Sequence, residues 1–277
     1  MGYRLDGDGI YVTQNGVAHR NDEFDEAQFK NLFEMQSKHF WYLGRHRFIL
    51  ESLKRFEKKS QFSAIDLGGG CGGWVKYLAE KLPQRVNQLG LADSSRVALL
   101  NAKAVLPQHV DLYQVDLMDL NIKEQWDTGF LLDVIEHCPD DVAIVKEAAK
   151  SLKPGGKLFI ATPALDFFWS YNDDFVKHIR RYDKEKYRAL ANATDLKLVD
   201  SRYFMFLLSP LLWLSRKTKP NVLDEKEMAR LYKNEYKTPH AALNLPMHAV
   251  FSAETPLGHA IQFPWGTSIL GVFEKPI

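Results

Sequence analysis

The chain has 277 residues, 45% apolar and 26% charged, with a formal net charge of +1. That size and balance suit one enlarged α/β domain with an ordinary core; they exclude global disorder and any broad electrostatic attraction to nucleic acid. The two cysteines, Cys71 and Cys138, form no disulfide framework and lack metal-ligand spacing, so a reducing, cytoplasmic setting and no metal are expected.

In chain order, residues 1–58 read as an N-terminal cap. Its start has no basic stretch followed by an apolar one, so no secretory signal is expected. Turn pairs Asp6-Gly7, Asp8-Gly9 and Asn15-Gly16 flank a short strand at 10–13. Residues 24–58 read as helical on the spacing of Phe24, Phe29, Leu32 and Phe33, then Phe48, Ile49, Leu50 and Leu53. The cluster Phe40-Trp41-Tyr42 interrupts that pattern and is followed by Arg45 and Arg47.

From residue 59 the grammar alternates. Strands are expected at 62–67, 88–92, 112–115, 129–132 and 157–162, with helices at 74–82, 95–105 and 140–152 between them. A helix at 183–193 and a strand at 196–204 close the core region 59–204. A partly helical insertion, 205–262, precedes a last strand within 263–277. The longest apolar stretch, 203–214, is too short to cross a bilayer as a helix. Together these elements predict a Rossmann-like α/β fold, a seven-stranded, mostly parallel sheet with helices on both faces.

The chemistry is concentrated at strand ends. Asp66, Gly68, Gly70 and Gly72 form an Asp-x-Gly-x-Gly-x-Gly turn between a strand and a helix. Glycines there permit positive φ and close backbone approach, and the helix start offers unpaired N–H groups, which suits a nucleoside with a charged tail. Such a turn also serves simple tight packing. Asp93 ends the second strand about 20 residues further on, where an acid accepts from ribose hydroxyls. Asp116 ends the third strand and Asp133 the fourth, so four acids line the carboxyl rim where open α/β sheets bind ligands. Any one of them has the alternative of a helix-cap or turn carboxylate. A dinucleotide site would show Gly-x-Gly-x-x-Gly; here the glycines alternate and Trp74 stands at the helix start.

The segments Ile65-Asp66-Leu67-Gly68-Gly69-Gly70-Cys71-Gly72, Leu91-Ala92-Asp93, Val115-Asp116, Leu132-Asp133-Val134-Ile135-Glu136-His137 and Leu152-Lys153-Pro154-Gly155-Gly156 resemble, in order and spacing, the class I S-adenosylmethionine-dependent methyltransferases. The resemblance covers about residues 40–200 and the terminal strand, and it is nearest the branch containing ubiquinone-biosynthesis O-methyltransferases. It implies S-adenosyl-L-methionine as cofactor, with Gly68 and Gly70 holding the methionine portion and ribose, Asp93 the ribose hydroxyls, Asp116 and Leu117 the adenine, and Asp133 the methionine end. It also implies an upstream aromatic and arginine at the methionine carboxylate, for which Tyr42 and Arg45 are the candidates; a helix-end stack is the alternative.

For the acceptor, His137 follows the fourth strand and is a candidate general base, or a shaper of that loop. The segment Trp169-Ser170-Tyr171 to His178-Ile179-Arg180-Arg181-Tyr182 resembles a pattern in uncharacterised relatives of the branch. Trp169, Tyr171, Arg180, Arg181 and Tyr182 are candidate acceptor contacts, and His178 is a second base candidate. Alternatively the two arginines pair with Asp173 or Asp174. The resemblance implies methyl transfer to a small-molecule acceptor, an aromatic or lipid-like hydroxyl; the alternatives are a nitrogen on an amino sugar, peptide or other amine, and a non-catalytic cofactor-binding partner. No nucleic-acid partner is expected, and peripheral lipid contact and a monomer or homodimer remain open.

Overall fold

The computed structural model describes residues 2–13, 17, 29–217 and 237–277. The expected Asn15-Gly16 turn, the helical reading of 24–28 and the insertion at 218–236 lie outside the described residues.

The core is the expected alternation. Strands β3 (Phe62–Leu67), β4 (Val86–Asp93), β5 (Val110–Gln114), β6 (Trp126–Leu132) and β7 (Leu152–Pro163) are parallel to one another where they pair, while β9 (Ser268–Glu274) runs antiparallel between β7 and β8 (Lys197–Phe204). Among the described residues the sheet has nine strands rather than seven; with β1 (Tyr3–Leu5) and β2 (Tyr11–Thr13) the order is β1-β2-β5-β4-β3-β6-β7-β9-β8. The two extra strands, β1 and β2, are an N-terminal hairpin. Tyr11 and Val12 pair in parallel with Tyr113 and Gln114, and the rings of Tyr11 and Tyr113 stack at 4.9 Å. The hairpin thus covers what would be the open edge of β5. Arg96 fastens it by an ion pair to Asp6 at 2.7 Å and a second to Asp8.

Side-chain alternation along the strands divides the core between two faces. Phe62 and Ala64, Phe130 and Leu132, and Phe159 and Ala161 join one cluster with residues of α2 (Phe40–Phe56), α3 (Gly73–Lys81), α4 (Arg96–Lys103) and α9 (Ala241–Ala260). Ile65 and Leu67, Leu131, and Leu158 and Ile160 join the other with α5 (Asp141–Ser151) and α7 (Lys184–Ala193). Helix starts carry the expected caps: Ser95 accepts from Ala98 N at 3.2 Å, Asp140 from Ala143 N at 2.9 Å and Asp183 from Lys186 N at 2.7 Å.

The helical region expected over 24–58 holds two helices, broken just before the aromatic cluster that interrupts the pattern. α1 (Phe29–Lys38) ends before His39, whose side chain caps α2 by accepting from Trp41 N at 3.1 Å. The insertion returns to this cap. α9 lies along α2: Asn244 accepts from Phe40 N at 2.9 Å, and His259 stacks on Phe48 at 4.4 Å. The two helices meet closely at Gly44, where an added Cβ would enter the Phe251 ring. Glycine inside a helix normally costs about 1 kcal/mol relative to alanine. Here the sign should reverse: Gly44→Ala is expected to destabilise the fold by about 1–3 kcal/mol through overpacking. Urea unfolding of the two proteins measures it, and a stabilised variant would refute the close packing of α2 on α9.

Candidate active site

The chain runs from β3 outward through β4 and β5, then crosses back to β6 beside β3. That reversal makes the β3/β6 edge the switch point, where the carboxyl ends of parallel strands open a crevice. The glycine turn sits there. Gly68, Gly70 and Gly72 all have positive φ, at 76°, 55° and 74°. L-residues rarely adopt this conformation, which is why the glycines alternate. A Cβ on Gly68 would also meet Val134 at 2.8 Å and Leu117 at 3.3 Å, so these two side chains wall the turn.

Asp93 closes the turn from β4. Its Oδ2 accepts from Gly70 N at 2.8 Å and its Oδ1 from Ser95 N at 2.9 Å. One carboxylate therefore ties the turn to the start of α4. Helix α1 covers the turn: Leu32 and Phe33 pack on Cys71 and Ala98, and Gln36 sits against Gly73.

Asp66 is 2% exposed and its Oδ1 has no hydrogen-bond partner. Burial pushes its carboxyl up to about 7; Arg45 opposes that rise and Asp93 adds to it. Because this value exceeds the 3.8 of a free aspartate, the stability conferred by the neutral form is complete below pH 3.8 and is lost as pH rises through about 7. Asp66→Asn should therefore flatten the melting temperature over that window and stabilise the free protein at pH 8 by at most about 4 kcal/mol. Thermal melts from pH 4 to 8 test this, and an unaltered slope in the variant would refute it.

Arg45 and Asp133 meet over the same crevice. Asp133 follows β6 with φ 59°, and its carboxylate is ion-paired to Arg45 Nη1. The guanidinium lies 5.0 Å from the Trp41 ring centroid and 5.3 Å from that of Tyr42, while its Nε has no partner. Tyr42 is pushed up to about 12 by burial. The structure thus brings Tyr42 and Arg45 to the end of β6, with Arg45 on the Asp133 carboxylate. Asp116 caps the short 3-10 turn Leu117–Asp119, accepting from Met118 N at 2.9 Å; the cap alternative describes this use of its carboxylate.

On the acceptor side, the rings of His137 and His178 meet edge to face at 4.8 Å. His178 Nδ1 is 2.9 Å from Asp173 Oδ1. Burial, and then the neighbouring His178, lower His137 to about 3, so it is neutral at pH 7. Beside them stands Glu136, to which the sequence assigns no role. It is fully buried, and neither carboxylate oxygen has a hydrogen-bond partner. Burial and then Asp133 hold its carboxyl well above the usual range. The sequence signal available was an acid-histidine pair directly after a core strand.

The arginines of the 169–182 segment are engaged internally. Arg181 is 2% exposed and holds Asp173 through Nε at 2.8 Å and Nη2 at 2.9 Å, with Nη1 on Ala164 O at 2.9 Å. Arg180 reaches Asp141 at 2.9 Å and Pro139 O at 2.8 Å. Tyr182 donates to Asp141 Oδ2 at 2.6 Å, and Tyr171 is buried. The pairing alternative describes Arg181. Asp173, expected from sequence only as an alternative partner of the arginines, is the centre of this network. Burial raises its carboxyl, but His178 and Arg181 outweigh that and hold it below the usual range. Trp169 remains on the surface at 39% exposure, its Nε1 donating to Asp174 at 3.1 Å. Near it, the exposed Phe167 stacks on Trp213 of α8 (Ser209–Lys217) at 5.6 Å. No helix among the described residues is long and apolar enough to cross a membrane.

Comparison with known proteins agrees with this fold. Residues 65–160 match the family model described as a methyltransferase domain. The chain is 30% identical over 142 residues to a ubiquinone biosynthesis O-methyltransferase of Stutzerimonas stutzeri (strain A1501), covering 50% of this chain and 55% of that protein. The chain thus spans about half the length of this relative. Among solved structures, a chain of the complex between the Haloferax volcanii Trm112 methyltransferase activator and a methyltransferase superposes with TM-score 0.60 at 15% identity, covering 91% of this chain and 96% of that one. Haemonchus contortus phosphoethanolamine N-methyltransferase 2, in complex with S-adenosyl-L-methionine, superposes with TM-score 0.53 at 18% identity, over 82% of this chain and 52% of that one. At those identities the structural likeness shows the fold. Residues 65–160 thus resemble a methyltransferase domain, set in a chain whose fold is that of solved methyltransferases.

Proposed function

We propose that the chain is an S-adenosylmethionine-dependent methyltransferase whose acceptor is an oxygen of a small molecule. The observation that carries the reading is the turn itself, three alternating positive-φ glycines closed onto Asp93 at the switch point. The surrounding donor set fits the cofactor group by group. Asp93 suits ribose hydroxyls, and Leu117 with Asp116 suits the adenine. The unpartnered Oδ1 of buried Asp66 suits an ammonium, and the unpartnered Nε of Arg45 suits a carboxylate.

The cofactor supplies a methyl group on a positively charged sulfur, an electrophile with an excellent leaving group. The chain's own task is to align an acceptor, exclude water and take a proton from it. α1 over the turn and the Trp41, Tyr42 and Trp74 rings provide the exclusion. Of the two histidines, His178 is the better placed base. Asp173 fixes its tautomer and orientation, the arrangement of an imidazole held by a carboxylate. His137, held neutral by burial, walls the same space. The likeness to a ubiquinone biosynthesis O-methyltransferase supports oxygen as the methylated atom.

Incubation with methyl-labelled cofactor and paired phenol and amine acceptors, read by mass spectrometry, tests this. A phenol must lose a proton and a neutral amine attacks without a base. His178→Ala should therefore lower kcat for the phenol by about 10²–10⁴ and far less for the amine. Methylation confined to amines would move the reading to nitrogen, and equal losses on both would remove His178 as the base.

A further inference from the structure

Glu136 has no internal explanation as a structural residue. A fully buried carboxylate is normally hydrogen-bonded or paired, and both oxygens of Glu136 are without a hydrogen bond among the described residues. Its neighbouring carboxylates are already matched, Asp133 by Arg45 and Asp173 by Arg181. What faces Glu136 is imidazole. His178 Nε2 lies 3.9 Å from Glu136 Oε1, too far for a hydrogen bond. One donor atom each from Glu136, His137 and His178 falls within 4.8 Å of the others. Asp173 engages the opposite nitrogen of His178 at 2.9 Å, so the Nε2 lone pair faces the cluster. An imidazole pinned by a carboxylate through its far nitrogen is the usual outer support of a metal ligand.

We propose that Glu136, His137 and His178 bind a divalent metal of the zinc, manganese and cobalt class at the acceptor end of the crevice. Two imidazoles and one carboxylate are the donor set these borderline ions take. Ligand bonds of about 2.0–2.2 Å place two ligands of a tetrahedral ion about 3.3 Å apart, so the 3.9 Å between His178 and Glu136 closes with a small side-chain shift. Three protein ligands leave coordination positions open for an acceptor oxygen. The proposal rests on the methyl-transfer reading for what that oxygen is, and on the cluster alone for the metal. It assigns His178 to the metal, which then takes over the lowering of the acceptor hydroxyl's proton affinity. The sequence spacing gave no hint of this site, because His178 reaches the loop after β6 only through the tertiary fold.

The test is titration of chelator-treated full-length protein with Co²⁺ alone, followed by its visible absorption, and with Zn²⁺ by calorimetry. One equivalent per chain is expected, with a d–d spectrum of an imidazole and carboxylate site. His178→Gln and Glu136→Gln should each weaken binding by at least about 10–100-fold. No saturable binding by the wild type, or unchanged affinity in a Glu136→Gln/His178→Gln double variant, overturns the proposal. Calorimetry of the same metal-free protein with S-adenosylhomocysteine separates the two readings. Cofactor binding without metal binding removes the metal site alone, and metal binding without cofactor binding removes the methyl-transfer reading alone.

Discussion

Asp93→Ala is expected to weaken binding of S-adenosylhomocysteine by about 30–1,000-fold while leaving far-UV circular dichroism unchanged. Asp93 carries two duties with one carboxylate. It accepts from Gly70 N and Ser95 N, tying the turn to the start of α4, and in the proposed reading it also accepts from the ribose hydroxyls. Removing it leaves two buried backbone N–H groups without their acceptor and takes away a charged partner for the ligand. Hydrogen bonds to a charged group are worth about 1.5–3 kcal/mol each, so a combined loss of about 2–4 kcal/mol follows, at 1.4 kcal/mol for each tenfold. Asp93→Asn should fall between. Its oxygen still serves one N–H, but its amide turns a donor toward the other. Calorimetry on the three proteins measures the series. An alanine variant that binds as tightly as wild type would show that the turn is a packing feature.

Asp173→Ala should cost the fold about 3–5 kcal/mol, because it strands a buried guanidinium. Arg181 is 2% exposed, and two of its nitrogens bond only Asp173. The same carboxylate accepts from Ser170 N at 2.8 Å in a capping box at α6 (Tyr171–Phe175), and it holds His178. A domain's whole stability is typically about 5–15 kcal/mol, so this single change should be visible as a large drop in the urea midpoint. The double variant Asp173→Leu with Arg181→Met removes both charges together. It should recover much of the loss, since the desolvation cost disappears along with the attraction. If the single variant melts within about 1 kcal/mol of wild type, the ion pair is not a fixed part of the interior.

What was legible in the sequence was what chemistry enforces locally. The glycine turn, the acids at Asp66, Asp93 and Asp133, and the strand–helix alternation all appear where the pattern places them, because positive φ and strand-end carboxylates leave a signature within a few residues. Asp116 shows the limit of that signature, since a strand-end acid and a turn cap look alike until Met118 N is seen donating to it. One of the extra strands is legible at 10–13, but not its role as a cover for β5, because edge pairing depends on which edge is left open. Pairings far apart in sequence left no trace. Arg45 on Asp133, α9 on α2 and His178 beside His137 are all made by tertiary packing. Arg181 reads from sequence as a candidate acceptor contact, and the fold engages it with Asp173.

Calorimetric titration of the wild-type protein with S-adenosylhomocysteine is the most direct test of a methyl-donor site at Asp66–Gly72. The geometry predicts one saturable site per chain, lost or strongly weakened in Asp93→Ala and retained in Gly44→Ala, whose defect lies in the α2–α9 packing. Absence of saturable binding by the wild type up to about 1 mM ligand, where the binding free energy is only about 4 kcal/mol, would contradict it.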